Sequence, residues 1–385
     1  MAFRLKQLFY ITHIDNLESI LDQGILSHQN IEGWNIKFTP IYDRQIVSLR
    51  RERIVSDNKN LWQYANLYFQ PRNPMMYRVT CEKPNDEIAV IAVDWSIVNQ
   101  AGVMIAKGNA ASSTTDIVTG KDIQRALKEL APVLSLEWWK DEDGSKRRIM
   151  AECLVPDIIP PEFIKCIYVS SNSVRTRLFE KIGTRISIIP EPHLYFGPSL
   201  QAQITPLLSI MKGDMFFSRM HTLTVSVNTV GIMGKGLASR AKYQFPDVYV
   251  YYQDLCRKKI LRMGKPFIYK RESSFDYQLA DNPQSLKNEN GETWFLLFAT
   301  KSHWREDSNF SGIEKGMQWL LENYTKEGIK SLGIPALGCG LGNLKWDTVG
   351  PMLCKYLSQM EIPVQLFLPA EKEIIPEQIT SEFLL

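Results

Sequence analysis

The sequence predicts two folded units in tandem: a mixed α+β unit, then an α/β unit with a largely parallel sheet covered on both faces. Three observations carry that expectation. At 385 residues the chain has the length of roughly two domains of about 100 to 200 residues each. Strand-like and helical stretches alternate regularly after residue 206 and irregularly before it, and regular alternation is the signature of a parallel sheet. Between the two lies 189–206 (IPEPHLYFGPSLQAQITP), where four prolines, one glycine and few charges interrupt the periodic segments. The domains are accordingly placed at 1–197 and 206–385, with a linker near 197–205.

In the first unit, DNLESIL from Asp15 predicts a helix that stops at Gly24, and helices are expected over 121–130 and 174–182. Apolar strand-like runs cover 88–93, 149–155 and 164–169, separated by long connections. In the second unit TLTVSV (222–227) reads as a strand, 237–244 as a helix ending before Phe245-Pro246, and WFLLFA (294–299) as a buried strand. Ile313, Met317, Leu320, Leu321 and Tyr324 recur at helical spacing. A short strand over 331–335, a helix through Val349, Met352, Leu353, Tyr356 and Leu357, and a last strand over 363–368 complete the pattern. Ligands of such sheets bind where the loops gather at the carboxyl ends of the strands.

Composition narrows the function. Hydrophobic residues make up 44%, aromatic 11% and charged 23%, which excludes a disordered or fibrous chain. No apolar run approaches the ~20 residues of a spanning helix, and no membrane association is expected. Six cysteines without CxxC spacing and five histidines encode neither a zinc cage nor a dense disulfide framework, so no metal is expected and a reducing cytoplasm fits best. With 45 Lys and Arg against 42 Asp and Glu, any nucleic acid must be held by a local patch rather than by the bulk field.

Two glycine loops follow strands of the second unit: NTVGIMGKGLA (228–238) and GCGLGN (338–343). Glycine lets the backbone approach a phosphate closely, and amides at a helix N-terminus supply donors. Gly231, Gly234 and Gly236 give GxxGxG rather than GxGxxG, and Lys235 is followed by glycine rather than Ser or Thr. Neither a dinucleotide fingerprint nor a Walker loop is therefore present. Lys301 follows the buried strand WFLLFAT, at the edge where chemistry belongs in this architecture.

Gly213-Asp214, the strand ending in Val227-Asn228, VGIMGKGLA, TKSHWR (300–305) and PALGCGLGNLKW (335–346) together resemble a macrodomain of the DarG antitoxin type over about 206–370. The resemblance implies an α/β/α sandwich that binds ADP-ribose and removes it from DNA bases. Asp214 would hold the adenine. Asn228, Gly231, Met233, Gly234, Lys235, Gly236, Leu237 and Ala238, with Gly338, Cys339, Gly340, Leu341 and Gly342, would hold the diphosphate and distal ribose, and Lys301 would be the catalytic lysine.

The first unit carries YITHIDNL (10–17), LRRER (49–53), YANLYFQPRNPMMY (64–77) and IMAECLV (149–155). Glu152 is the lone carboxylate in an apolar strand-like run. It either turns to solvent by strand alternation or is buried for a reason, because burying a carboxylate is costly without a partner. In this order the segments resemble the DarT family of DNA ADP-ribosyltransferase toxins over about 3–196, implying an α+β ADP-ribosyltransferase fold and transfer of ADP-ribose from NAD to thymine or guanine in single-stranded DNA. By that resemblance His13, Asn16, Leu17, Tyr68, Arg72, Met75 and Tyr77 would contact NAD, Glu152 would be the catalytic glutamate and Arg51 the catalytic arginine, with Arg50 the alternative. Arg44, Arg50, Arg53, Arg147 and Arg148, with Trp138 and Trp139, would form a groove for the strand.

The whole chain then reads as a natural fusion of a toxin with the enzyme that reverses it. NAD, single-stranded DNA, ADP-ribosylated DNA and an intramolecular contact between toxin and antitoxin halves are its expected partners. The alternative is a macrodomain that only reads ADP-ribose or blocks the transferase sterically.

Overall fold

The computed structural model describes residues 6–42, 44–56, 59–286, 291–370 and 372–385; of residues 44–46, 56 and 285 it describes the backbone alone. The chain divides into two compact units, Met1–Tyr195 with Asp276–Glu289, and Phe196–Phe275 with Asn290–Leu385.

The first unit is built on an eight-stranded sheet. Its strands are β1 (Gln7–His13), β2 (Tyr64–Tyr68), β3 (Ile88–Asp94), β4 (Met104–Ala106), β5 (Ile117–Thr119), β6 (Glu152–Pro156), β7 (Ile164–Val169) and β8 (Ser187–Pro190), in the order β8-β7-β3-β1-β2-β6-β4-β5. All neighbours are antiparallel except β7 and β8. β3 reads IAVIAVD and is buried from Ile88 to Val93, as a continuous apolar run at the centre of a sheet must be. It pairs with β1 from Gln7↔Asp94 to His13↔Ile88, which fixes the end of β1 where THIDNL begins.

The helices of this unit before residue 196 are α1 (Leu17–Gln23), α2 (His28–Gly33), α3 (Arg44–Glu52), α4 (Pro74–Glu82), α5 (Ile123–Leu134), α6 (Ser145–Arg148) and α7 (Asn172–Ile182). α1 ends as expected at Gly24, whose φ of +85° suits a residue without a side chain. The strand expected over 149–155 starts only at Glu152. Helical and turn bonds (Ile149 N–H to Ser145 O, Ala151 N–H to Arg148 O) hold the preceding residues out of the ladder.

The second unit holds a seven-stranded sheet: β9 (Leu200–Gln203), β10 (Leu208–Lys212), β11 (Thr222–Asn228), β12 (Phe267–Tyr269), β13 (Trp294–Lys301), β14 (Leu332–Pro335) and β15 (Val364–Phe367). The order is β9-β10-β15-β14-β11-β13-β12; the five inner strands run parallel and the two edges antiparallel. Its main helices are α8 (Gly236–Gln244), α9 (Pro246–Arg257), α10 (Phe310–Glu327) and α11 (Trp346–Leu357). Alternation along β13 serves both faces: Leu296 and Phe298 pack with Met317 and Leu320 of α10, whereas the Phe295 ring lies 4.7 Å from that of Phe245.

Two local expectations change. Residues 200–203, expected in the linker, form the edge strand β9, paired with β10 through Leu200↔Lys212 to Gln203↔Ser209. Pro246, expected to end a helix, opens α9 instead, because its missing N–H costs nothing in a first turn. Among the described residues no helix is long and apolar enough to cross a membrane, and none of the six cysteines is in a disulfide.

Candidate functional site

In the first unit β1, β2, β6 and β4 lie side by side, and Glu152 at the start of β6 is in register with Tyr68 and Ala106. Its side chain turns inward and is 1% exposed. Two donors hold it: Arg50 Nη1 to Oε2 at 2.9 Å and the Ala110 N–H to Oε1 at 2.8 Å. The ion pair is buried on both sides. The other arm of the fork, Arg50 Nη2, is buried without a partner among the described residues and belongs to a residue that lines a cavity of about 100 Å³.

That cavity is walled by segments far apart in sequence, among them Tyr10, Asn16, His28, Tyr42, Asn66, Tyr68, Met75 and Asn109. Burial pushes the Tyr10 phenol up to about 12, with Tyr42 adding to the shift. Burial, helped by the Arg50 charge, pushes His28 down to about 4. The His28 ring stacks on Trp62 with centroids 4.4 Å apart. Asn16 ties the cavity wall together, exchanging two bonds with the Thr39 backbone (2.9 and 2.8 Å) and donating to Thr12 Oγ1 at 3.0 Å.

The paired arginines separate. A helix turns about 100° per residue, so only one of two neighbours on α3 can face β6. That residue is Arg50, expected as a DNA contact or as the alternative. Arg51 is exposed instead, with its guanidinium 5.5 Å from the centre of the Trp62 ring and 3.9 Å from Glu32. Arg53 also turns inward: it donates to the carbonyls of Ala110 (2.5 Å), Ser112 and Thr115 (2.7 Å). It thereby holds the loop whose Ala110 amide grips Glu152. Arg147 donates to Thr114 O and Thr115 Oγ1, and Arg148 to Glu129 O. The Arg44 side chain lies outside the described residues, and Trp139 is a core residue whose Nε1 donates to Leu279 O at 2.9 Å.

Of the residues expected around NAD, Asn16, Tyr68 and Met75 line the cavity; His13, Leu17, Arg72 and Tyr77 do not. His13 accepts the Asp15 N–H at Nδ1 and faces Glu87 across 3.5 Å at Nε2. Leu17 is core, Arg72 donates to Glu137 O at 2.8 Å, and the Tyr77 hydroxyl donates to Asp276 at 2.6 Å. Sequence reading missed His28 and Asn109. An isolated histidine and a loop asparagine carry no spacing signal, although Tyr10 and Asn66 lay inside segments already singled out.

In the second unit both glycine loops sit at the carboxyl ends of parallel strands. Asn228 shapes the first: its Nδ2 donates to Ile232 O at 2.6 Å, its Oδ1 accepts the Val230 N–H at 3.0 Å, and the Tyr252 hydroxyl donates to its oxygens at 2.9 Å. Gly231 stands at φ +83°. α8 opens at Gly236 with no side-chain cap, leaving its first amides for an anion. In the second loop a Cβ on Gly342 would meet Ser308 Oγ at 2.2 Å. The loops approach each other, since a Cβ on Gly236 would lie 3.3 Å from Leu341 Cδ1.

Lys301 is the last residue of β13, in register with Asn228. Its Nζ donates to Glu306 O at 2.7 Å and Leu341 O at 3.4 Å, joining its own loop to the second glycine loop. Asp214 caps the turn at 215–217 through the Phe216 N–H and pairs with Arg240 at 2.6 Å, whose guanidinium lies over the Phe216 ring at 4.8 Å. Among the described residues no group of three or more His, Cys, Asp and Glu is placed to hold a metal ion.

The fold and sites define a class: a side-chain-built carboxylate–arginine site followed by a macrodomain. The family described as "ssDNA thymidine ADP-ribosyltransferase, DarT" has a model that matches residues 9–196. A DNA ADP-ribosyl transferase-DNA ADP-ribosyl glycohydrolase fusion protein of Thermosipho africanus is 54% identical over 99% of each chain. The solved structure of Thermosipho africanus DarTG in complex with ADP-ribose superposes with a TM-score of 0.92 at 53% identity, covering 98% of this chain and 99% of that one. A DNA ADP-ribosyl glycohydrolase of Thermus aquaticus is 31% identical over 43% of this chain and 42% of its own length. The chain belongs to the family of DarT–DarG fusion proteins.

Proposed function

We propose that the first unit transfers ADP-ribose from NAD to a base of single-stranded DNA, thymidine being the nucleoside in the description of the matching family, and that the second unit removes it. One observation carries the transferase reading: a buried glutamate clamped by Arg50 and a backbone amide, beside an arginine arm that has no partner among the described residues at a cavity. A buried donor left unpaired is costly, and a substrate acceptor would satisfy it.

The cavity is small against the few hundred Å³ of a typical ligand site; it suits the reacting end of a dinucleotide. Loss of nicotinamide takes the bonding electron pair with it and leaves oxocarbenium character on the ribose, which the Glu152 carboxylate stabilises while holding a ribose hydroxyl. A ring nitrogen of the base then bonds to the anomeric carbon. Arg50 Nη2 donates to an oxygen of the base and stabilises the charge that builds as the proton of the base N–H passes to solvent water. Arg53 keeps the 110–115 loop in place so that the Ala110 amide fixes the carboxylate.

In the second unit, the uncapped start of α8 and the glycine loops bind the diphosphate. Asp214 releases Arg240 to take the adenine. Lys301 acts at the anomeric carbon between the loops, as nucleophile or by stabilising departing charge. A purely binding macrodomain is not favoured, because the relative spanning the whole chain is named a glycohydrolase fusion.

The test is mass spectrometry of single-stranded oligonucleotides incubated with NAD and the full chain. Lys301→Ala is expected to accumulate ADP-ribosylated DNA, and Lys301→Ala/Glu152→Gln to form almost none. Equal product from the parent and Lys301→Ala would remove the hydrolase role of Lys301. Undiminished product in the double variant would remove the transferase role of Glu152.

A further inference from the structure

Residues 257–265 of the second unit (RKKILRMGK) carry five cations and no carboxylate. Arg257 pairs with Asp254 at 2.9 Å. Lys258, Lys259, Arg262 and Lys265 are exposed, and among the described residues none of them is ion-paired. The chain turns sharply at Lys259, whose φ is +55°. Lys259 and Arg262 face an open groove of about 440 Å³ that also touches Thr229 and Ser302.

Those two neighbours place the groove. Thr229 follows Asn228 and Ser302 follows Lys301, and Thr229 donates to Ser302 O from its amide at 3.2 Å and its hydroxyl at 2.9 Å. The groove therefore starts where β11 and β13 deliver the first glycine loop and the lysine. Two residues beyond Ser302, the Trp304 ring is 46% exposed with the Arg305 guanidinium 4.6 Å from its centre. Of the acidic groups that follow Trp304, Glu306 accepts the His303 N–H and Asp307 accepts Asn343 Nδ2, and among the described residues neither pairs with a cation of 257–265.

We propose that this groove is the DNA-strand site of the hydrolase. Backbone phosphates lie against Lys259 and Arg262, Lys258 and Lys265 extend the field, and a base flanking the modified one stacks on Trp304. The proposal rests on the glycohydrolase reading and extends it from the ADP-ribosyl group to the polymer that carries it. A strand joined to the anomeric carbon has to leave the site beside Lys301, and an unpaired cationic groove with an exposed aromatic ring is how single strands are held without sequence readout.

The experiment uses the full chain without NAD, so that the transferase is silent. Two substrates are compared: an ADP-ribosylated single-stranded oligonucleotide of about a dozen nucleotides and the corresponding ADP-ribosylated nucleoside. For Lys259→Glu/Arg262→Glu, kcat/KM on the oligonucleotide should fall on the order of tenfold, with a log–log salt dependence shallower by about 1.4, the share of two single-strand phosphate contacts. Turnover of the nucleoside and ADP-ribose affinity should not change. Trp304→Ala should give the same split with an unchanged salt slope. Because charge reversal can disturb folding, Lys259→Gln/Arg262→Gln must also discriminate between the substrates. An unchanged oligonucleotide rate in either double variant, or equal losses on both substrates in the Gln pair, overturns the groove. A parent that hydrolyses neither substrate overturns the glycohydrolase reading itself.

Discussion

The two sites of this chain are built from opposite materials. In the first unit the proposed chemistry rests on groups brought together from α3, β6 and the 110–115 loop, and the central pair is out of water. In the second unit contiguous stretches of backbone make the proposed cradle, and Lys301 is held by carbonyl oxygens at the open end of a strand. A buried ion pair fails when one partner is removed, because the other charge is left unpaired. A backbone cradle fails when its conformation is denied. The two units should therefore respond to different kinds of substitution.

The largest effect is expected at Glu152. Glu152→Gln in the Lys301→Ala background keeps shape and one accepting oxygen but loses the charge, and transfer to an oligonucleotide should fall on the order of 10² to 10³. A rate within a few-fold of the parent would break the contrast at its root.

Next comes the choice between neighbours on α3. Arg50→Ala strands Glu152 and should destabilise the first unit by about 3 kcal/mol or more, and transfer should fall by no more than Glu152→Gln costs. Arg51→Ala removes a ring contact and a 3.9 Å surface pair, worth no more than about 1 kcal/mol. Denaturation midpoints and transfer rates measured together test this, and the reverse order would return the catalytic role to Arg51.

In the second unit the informative change is the smallest possible one. Gly338 has φ +78°, and a Cβ there would meet Leu344 Cδ1 at 2.7 Å. Gly338→Ala should cost about 1 to 3 kcal/mol of backbone strain and weaken ADP-ribose binding by calorimetry, leaving transfer to DNA unchanged. Unaltered affinity would show that the second loop does not shape the cradle.

The finest test is pH. His28 stands at about 4 in the folded first unit against an ordinary 6.5, so between those values the unfolded chain binds the proton that the folded one refuses. Stability should therefore drop as pH falls through that window. The stability gap between parent and His28→Gln should narrow from pH 7 to pH 4, and a constant gap would show that His28 does not contribute.

Much of this was legible in the primary structure because it is local. The runs 88–93 and 164–169 became β3 and β7, and Trp294–Ala299 became the core of β13. Glycine loops announce themselves because a positive φ or a close approach selects the residue directly, as at Gly231 and Gly338. Glu152 stood out because a carboxylate inside an apolar run needs a reason.

Partnership was not legible. Which arginine of an adjacent pair faces the glutamate depends on the rotation of α3 against the sheet, and no spacing rule within LRRER reports it. Whether Arg53, Arg147 and Arg148 meet phosphates or their own chain depends on where the 110–115 and 129–148 carbonyls end up. His28 became a wall of the cavity only because α2 packs its ring on Trp62. Local propensity and periodicity follow from each residue's own backbone and its near neighbours, so the sequence by itself determined elements such as β3, β7 and β13 and the glycine loops. Which charges share a buried space is set by long-range packing, where each ion finds its counter-charge only after distant segments have closed around it, and that the tertiary structure alone decided.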